Sequence, residues 1–115
     1  MEVSAKLRNL KMGCRKGRYV ADMIRQKPVA EALTILQGCP RAAARPIEKL
    51  VRSALANAEE KNARQSAGID LDNLYVKTIT VDQGPHNWRI RPRAMGRAYW
   101  IRKYSSHVTV VLAEN

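Results

Sequence analysis

The 115-residue sequence has no phenylalanine, and aromatic residues make up only 5% of it. A hydrophobic core must therefore be built from Val, Ile, Leu, Met and Ala. Cysteine is also scarce: Cys14 and Cys39 lack the Cys-x-x-Cys spacing and the nearby histidines of a zinc site. We interpret both as reduced structural thiols, and the sequence predicts no metal and no cofactor.

Long apolar runs are absent as well. The longest, residues 108–113, is interrupted by Thr109 and is far too short to span a bilayer. The first residues, Met1-Glu2-Val3, lack the apolar core of a signal peptide, and the acidic residue does not suit a transit peptide. The sequence therefore predicts a cytoplasmic protein without a membrane partner.

Acidic residues are missing from 83–113, where six cations occur: Arg89, Arg91, Arg93, Arg97, Arg102 and Lys103. Residues 1–27 hold eight Lys or Arg against two acidic residues, whereas residues 28–82 hold seven of each sign. The net charge of +11 thus belongs to the two ends of the sequence. Uncompensated guanidinium groups repel one another, so this pattern predicts a polyanionic partner; an anionic membrane has little support, which leaves nucleic acid.

Apolar periodicity predicts three helices. The first has helical spacing over 15–25, the second begins at Pro28 and ends at Gly38, and the third begins near Arg45. Pro46 complicates the start of the third helix, because proline in a helix interior costs about 3 kcal/mol. Residues 62–68 are typical of a polar loop.

Three segments have the alternation of strands. They are 3–7, 74–81 and 108–112. In the second, we expect Ile79 and Val81 on one side and Leu74 and Val76 on the other. The second and third segments carry enough apolar residues to cover the helices.

Between the last two strands, residues 83–104 predict a projecting β-hairpin, because Arg alternates with apolar residues on both sides of a central Gly96. Arms of roughly ten residues would reach about 33 Å at 3.3 Å per residue. The arms have few apolar residues, so we expect the tip to be mobile when free and ordered by its partner. Trp88, Tyr99 and Trp100 can serve either cross-strand packing or base stacking.

Arginine suits phosphate because its planar fork donates two hydrogen bonds and can also stack on bases. The candidate residues for binding the phosphates of RNA or DNA are Lys6, Arg8, Lys11, Arg15, Lys16, Arg18, Arg89, Arg91, Arg93, Arg97, Arg102 and Lys103. One alternative is a DNA-binding module with the first helix in a groove, but only Gln26 near that helix could read a base edge. A hydrolase has little support, since there are two histidines and no Gly-x-Ser-x-Gly motif.

Five segments carry a more specific pattern: KGRYVADMIR at 16–25, ALANAE at 54–59, DQGP at 82–85, RPRAMGRA at 91–98 and SSHVTVV at 105–111. In this order, over nearly the whole chain, they closely resemble the bacterial-type family of large-subunit ribosomal protein number twenty-two. The sequence departs from the family pattern at Tyr99-Trp100, where a more polar pair is common, and also at Gly13 and Gln83.

The resemblance implies an α+β fold in a single domain over 1–115, with three helices on a small three-stranded antiparallel sheet and a long hairpin. It implies a non-enzymatic protein that organises RNA and supports subunit assembly and translation. The hairpin tip, Arg93, Ala94, Met95, Gly96 and Arg97, is expected in the wall of the polypeptide exit tunnel. Expected partners are large-subunit ribosomal RNA, neighbouring ribosomal proteins and the nascent polypeptide, without an obligate homo-oligomer.

Overall fold

A computed structural model describes residues 2–65 and 68–114. In chain order its elements are β1 (Glu2–Leu10), α1 (Cys14–Ile24), α2 (Val29–Gly38), α3 (Ala44–Gln65), a 3-10 turn (Leu71–Asn73), β2 (Leu74–Gln83), β3 (Asn87–Pro92), β4 (Ala98–Lys103) and β5 (Ser106–Glu114). β1, β5 and β2 form an antiparallel sheet in that order, and β3 pairs with β4 as a hairpin. The predicted α+β class, with three helices, a three-stranded sheet and a hairpin, is confirmed.

The core lies between the three helices and one face of the sheet. Its largest fully buried side chains are Ile24, Leu36, Ile47, Leu74, Ile79, Leu112, Val20, Val51, Val76, Val108 and Val110, together with Ser106. Within the described residues this core contains no aromatic side chain, as the composition predicts. α1 approaches β2 closely, since a Cβ at Gly17 would lie 3.1 Å from a methyl of Val81.

The third helix begins at Ala44, which places Pro46 in its first turn. Backbone N–H groups in the first turn have no partner within the helix, so proline is tolerated there without the cost of an interior position. At its other end α3 continues to Gln65, so the predicted loop is wrong for 62–65. Asn62 instead binds the chain after the helix, with its amide joined to both N and O of Ile69 at 2.8 and 2.7 Å. Residues 66 and 67 lie outside the described residues.

β2 changes the side that it buries partway along its length. Leu74 and Val76 are buried, and after a register shift at Lys77 so are Ile79 and Val81. The prediction that these two pairs lie on opposite sides is therefore wrong, because the bulge inserts one residue and reverses the alternation. Lys77 also forms an ion pair with Glu2 of β1. This hydrogen bond and charge lower the pKa of Glu2 and raise the pKa of Lys77.

Candidate nucleic-acid interface

The hairpin continues the antiparallel pairing of β2 with β5 beyond the helices. Gln83 pairs with Ser106, and Gly84 N donates to Ser105 O at 2.9 Å before the regular hairpin pairing begins at Asn87. The paired arms are six residues each, shorter than the roughly ten expected, because residues 84–86 and 104–105 interrupt the ladder. The structure extends 65 Å along its longest axis and 27 Å along the next.

The tip turns at the predicted position. Arg93 N donates to Arg97 O at 2.7 Å and closes a five-residue turn. Within it, Met95 and Gly96 have φ of 61° and 70°, and glycine adopts this left-handed conformation without the strain that a Cβ causes. The Met95 side chain is 96% exposed. The tip therefore presents an apolar side chain between two arginines.

The hairpin has two chemically different faces, which follow from its register. Ile90 lies opposite Trp100 and two residues along β3 from Trp88, so all three are on the same side of the hairpin, and we call them the aromatic face. The other side holds the cationic face, which we define as Arg89, Arg91 and Lys103. Tyr99 pairs with Arg91 on this second side. The alternation expected from the sequence is therefore present, with nearly every side chain of both arms exposed.

The two tryptophans have different surroundings. The guanidinium of Arg102 lies 4.7 Å from the ring centroid of Trp88, and His86 packs against the same ring at 5.7 Å. Trp100 meets Trp88 edge to face at 6.3 Å and remains 66% exposed, compared with 46% for Trp88. Trp88 thus holds the base of the hairpin together, whereas Trp100 presents most of its ring to solvent.

Cations from both ends of the sequence meet at the base of the hairpin. A hollow of about 390 Å³ is lined by Lys11 from the β1–α1 connection and by Arg89, Arg102 and Lys103 from the hairpin. Backbone and neutral residues complete the lining, and no acidic side chain contributes to it within the described residues. Residues that are far apart in sequence therefore form one positive surface, which we call the hairpin-base hollow.

The other predicted cations are distributed over the body. Lys6 and Arg8 are exposed on β1, and Arg15 and Lys16 are exposed in the first turn of α1. None of these four forms an ion pair within residues 2–65 and 68–114. They remain available to an external anion.

Arg18 has a structural contact that the sequence did not suggest. Its Nε donates to Val81 O at 3.1 Å, one of three side-chain hydrogen bonds from α1 and the residues after it to backbone carbonyls of β2. The other two are Arg25 to Ile79 at 2.9 Å and Gln26 to Lys77 at 2.8 Å. β2 is an edge strand, so these side chains occupy carbonyls that an unrelated strand could otherwise pair with.

The described residues show no arrangement that suggests other chemistry. No described helix is long and apolar enough to cross a membrane. Across 2–65 and 68–114, no three His, Cys, Asp or Glu side chains are grouped to hold a metal ion. His107 accepts a hydrogen bond at Nδ1 from the backbone of Asn9 at 3.1 Å, as expected of a polar neighbour.

An α+β body with a projecting cationic arm has the architecture of a protein that binds a polyanion. Comparison with known proteins identifies the class more closely. Residues 5–113 match the family model described as "Ribosomal protein L22p/L17e". The chain therefore belongs to this ribosomal protein family, and the predicted family is confirmed, together with the prediction that the protein is not an enzyme.

Three relatives from different bacteria match this chain over almost their whole length. The chain is 57% identical to a "Large ribosomal subunit protein uL22" of Myxococcus xanthus, with 99% of this chain and 97% of that protein covered. Proteins of the same name from Geobacter sulfurreducens and Bdellovibrio bacteriovorus are 54% and 48% identical, with 99% of this chain covered in both cases and 98% and 99% of theirs.

Proposed function

We propose that the protein is a structural component of the large ribosomal subunit in the cytoplasm and binds large-subunit ribosomal RNA. The cations of the hairpin would contact phosphates first, with those of β1 and α1 extending the contact over the body. Phosphate neutralisation releases counterions and supplies affinity, while the shape of folded RNA supplies most of the specificity. The protein would thereby support subunit assembly and translation.

One observation carries this proposal. All six cations between Gln83 and Glu114 lack an ion-pair partner within the described residues, and they project from the body on exposed strands and a turn. Such a concentration of positive charge repels itself when the protein is free. A polyanion removes this repulsion and at the same time orders the arm, because a two-stranded ribbon is marginal alone.

The tip carries a finer proposal. We infer that Arg93, Ala94, Met95, Gly96 and Arg97 form part of the wall of the polypeptide exit tunnel. The 65 Å length of the molecule and the exposed Met95 support a tip that passes between RNA segments and contacts a chain beyond them. A photoreactive side chain at position 95, in assembled subunits, should cross-link to a stalled nascent polypeptide. The same group at position 61 of α3 should not, and equal labelling from both positions would contradict the placement.

RNA contact by the arm is tested by its salt dependence. Replacing Arg91, Arg93 and Arg97 with Ala removes three phosphate contacts, each with a slope of about 0.7 to 0.9 in log affinity against log salt. Affinity for a large-subunit ribosomal RNA transcript should fall between 50 and 200 mM KCl for both proteins. The factor by which it falls should be roughly 20- to 40-fold smaller for the variant than for wild type.

A charge-matched control keeps this test specific. Replacing Arg52, Lys61 and Arg64 with Ala also removes three positive charges, but from the surface of α3, where Arg52 and Arg64 pair with neighbouring glutamates. The control should keep most of the wild-type slope. If both variants change the slope equally, net charge alone accounts for binding and the hairpin has no special role.

A further inference from the structure

A groove runs between β1 and the N-terminal half of α3. It encloses about 550 Å³, and its floor is apolar, formed by Leu7, Leu10 and Leu50. Leu50 belongs to the core, and the other two leucines pack partly against it. We call this feature the β1–α3 groove. Its floor is therefore part of the folded body and does not depend on a flexible loop.

The rim of this groove is strongly positive. Lys6 and Lys11 line it from β1 and the residues after it, and Arg45 and Lys49 line it from α3. No acidic side chain lines the groove within the described residues, and none of the four cations forms an ion pair there. The nearby Glu48 is held by Arg52 at 3.0 Å. The four charges are thus left without compensation.

The two walls are fixed relative to each other. Asn57, one helical turn beyond the groove lining on α3, donates from Nδ2 to Ser4 O of β1 at 3.1 Å. The core residues Ile47 and Val51 hold the same stretch of α3 against the body. A site that is already formed does not have to be ordered during binding, which favours affinity.

The groove adjoins the hairpin-base hollow at Lys11. Lys11 lines both, so a ligand that follows the surface passes from Arg89 and Lys103 over Lys11 into the groove. This continuity favours the same polyanion over a separate partner. An acidic protein segment could satisfy the charges of the groove, but it would have to end where the RNA surface begins.

We propose that a strand of the bound RNA continues along the β1–α3 groove, with its phosphates held by Lys6, Lys11, Arg45 and Lys49. Its sugars or base edges would cover the leucine floor. The inference rests on the proposed function and adds Arg45 and Lys49 to the binding residues. Charge counting along the sequence does not indicate these two cations, because residues 28–82 have no net charge as a whole. Most of the acidic residues in that range, however, follow position 58 and lie beyond Arg45 and Lys49 in the sequence.

The test uses the full chain and a large-subunit ribosomal RNA transcript. Arg45→Gln combined with Lys49→Gln removes two groove charges, while Lys61→Gln combined with Arg64→Gln removes two charges from the far end of the same helix. Between 50 and 200 mM KCl, the factor by which RNA affinity falls should be about 7- to 12-fold smaller for the groove variant than for wild type, because two fewer phosphate contacts release counterions. The control should follow wild type to within about twofold. All four side chains lie outside the hydrophobic core, so both variants should retain the wild-type circular dichroism spectrum.

The outcomes separate the two proposals. If wild type binds the transcript and the groove variant follows the Lys61 and Arg64 control, the groove is not an RNA site and the inference fails. A wild type that shows no preference for the transcript over a polyphosphate competitor overturns the proposed function and this inference with it. Polyglutamate is the third ligand tested. If the groove variant loses polyglutamate binding but its RNA affinity depends on salt as in wild type, the groove is assigned to an acidic protein segment.

Discussion

Trp100 and Trp88 share one face of the hairpin, yet we predict different consequences when each is replaced by alanine. Trp100→Ala should weaken RNA binding while the arms remain paired, because Trp100 is 66% exposed and its one aromatic neighbour is Trp88. Trp88→Ala should loosen the hairpin itself, because Arg102 and His86 pack on the same ring.

The magnitudes follow from these contacts. Trp88→Ala removes an exposed cation–π contact of about 0.5 to 1 kcal/mol and aromatic contacts of about 0.5 to 1.5 kcal/mol each. Trp100→Ala removes a single aromatic contact of that size from the free protein. A base stacked on Trp100 would be worth about 1 to 3 kcal/mol, which is about 5- to 150-fold in affinity.

Two measurements distinguish these consequences: amide hydrogen exchange across β3 and β4 in the free protein, and affinity for the ribosomal RNA transcript. For Trp100→Ala we expect exchange close to wild type and a clear loss of affinity, and Trp100→Phe should recover most of the affinity because it retains an aromatic face. Trp88→Ala should exchange faster along both arms. The reasoning is refuted if Trp100→Ala binds RNA like wild type, or if both alanine variants change exchange and affinity in the same proportion.

Two further predictions concern the base of the hairpin and the sheet. Gly84→Ala should destabilise the fold by about 1 to 3 kcal/mol in urea denaturation, because its Cβ would lie 2.8 Å from Ser105 Oγ and 3.2 Å from His107 Cε1. The loss of stability should be smaller in a Ser105→Ala background. Equal losses in both backgrounds would count against a steric cause. The lowered pKa of Glu2 and the raised pKa of Lys77, ordinarily 4.5 and 10.5, make their ion pair stabilising between those values. The excess in Tm of wild type over Glu2→Gln should be constant near neutral pH and should disappear as pH falls through the lowered pKa of Glu2. An excess that does not decrease as the pH is lowered into the acid range would exclude this pair as its source.

Local sequence rules predict most of the body because its elements are strongly periodic. The third helix shows this best: Ile47, Val51, Ala54 and Ala58 recur at helical spacing and are all buried. The end of the same helix was not predictable, because polar residues 62–65 are equally typical of a loop. Only the tertiary bonds from Asn62 to Ile69 show why the helix continues.

The site was predictable in composition but not in arrangement. Charge counting along the sequence finds the arginines of the hairpin, since they occur without acidic neighbours. It cannot find that Lys11 joins them, because this contact depends on the turn after β1 returning to the hairpin base. It also cannot show that Arg18 is partly engaged by Val81 O, because the guanidinium of a surface helix gives no signal of the strand beside it.

The pairing that joins the arm to the body contains a single extra residue at the base of the arm. Gln83 pairs with Ser106 and Asn87 with Lys103, so four steps along one strand match three along the other. The two faces themselves follow from the alternation of side chains along β3 and β4, which leaves Ile90 and Trp100 59% and 66% exposed on the aromatic face. A partner that orders the arm must cover this apolar surface as well as neutralise the arginines, and charge neutralisation alone is insufficient.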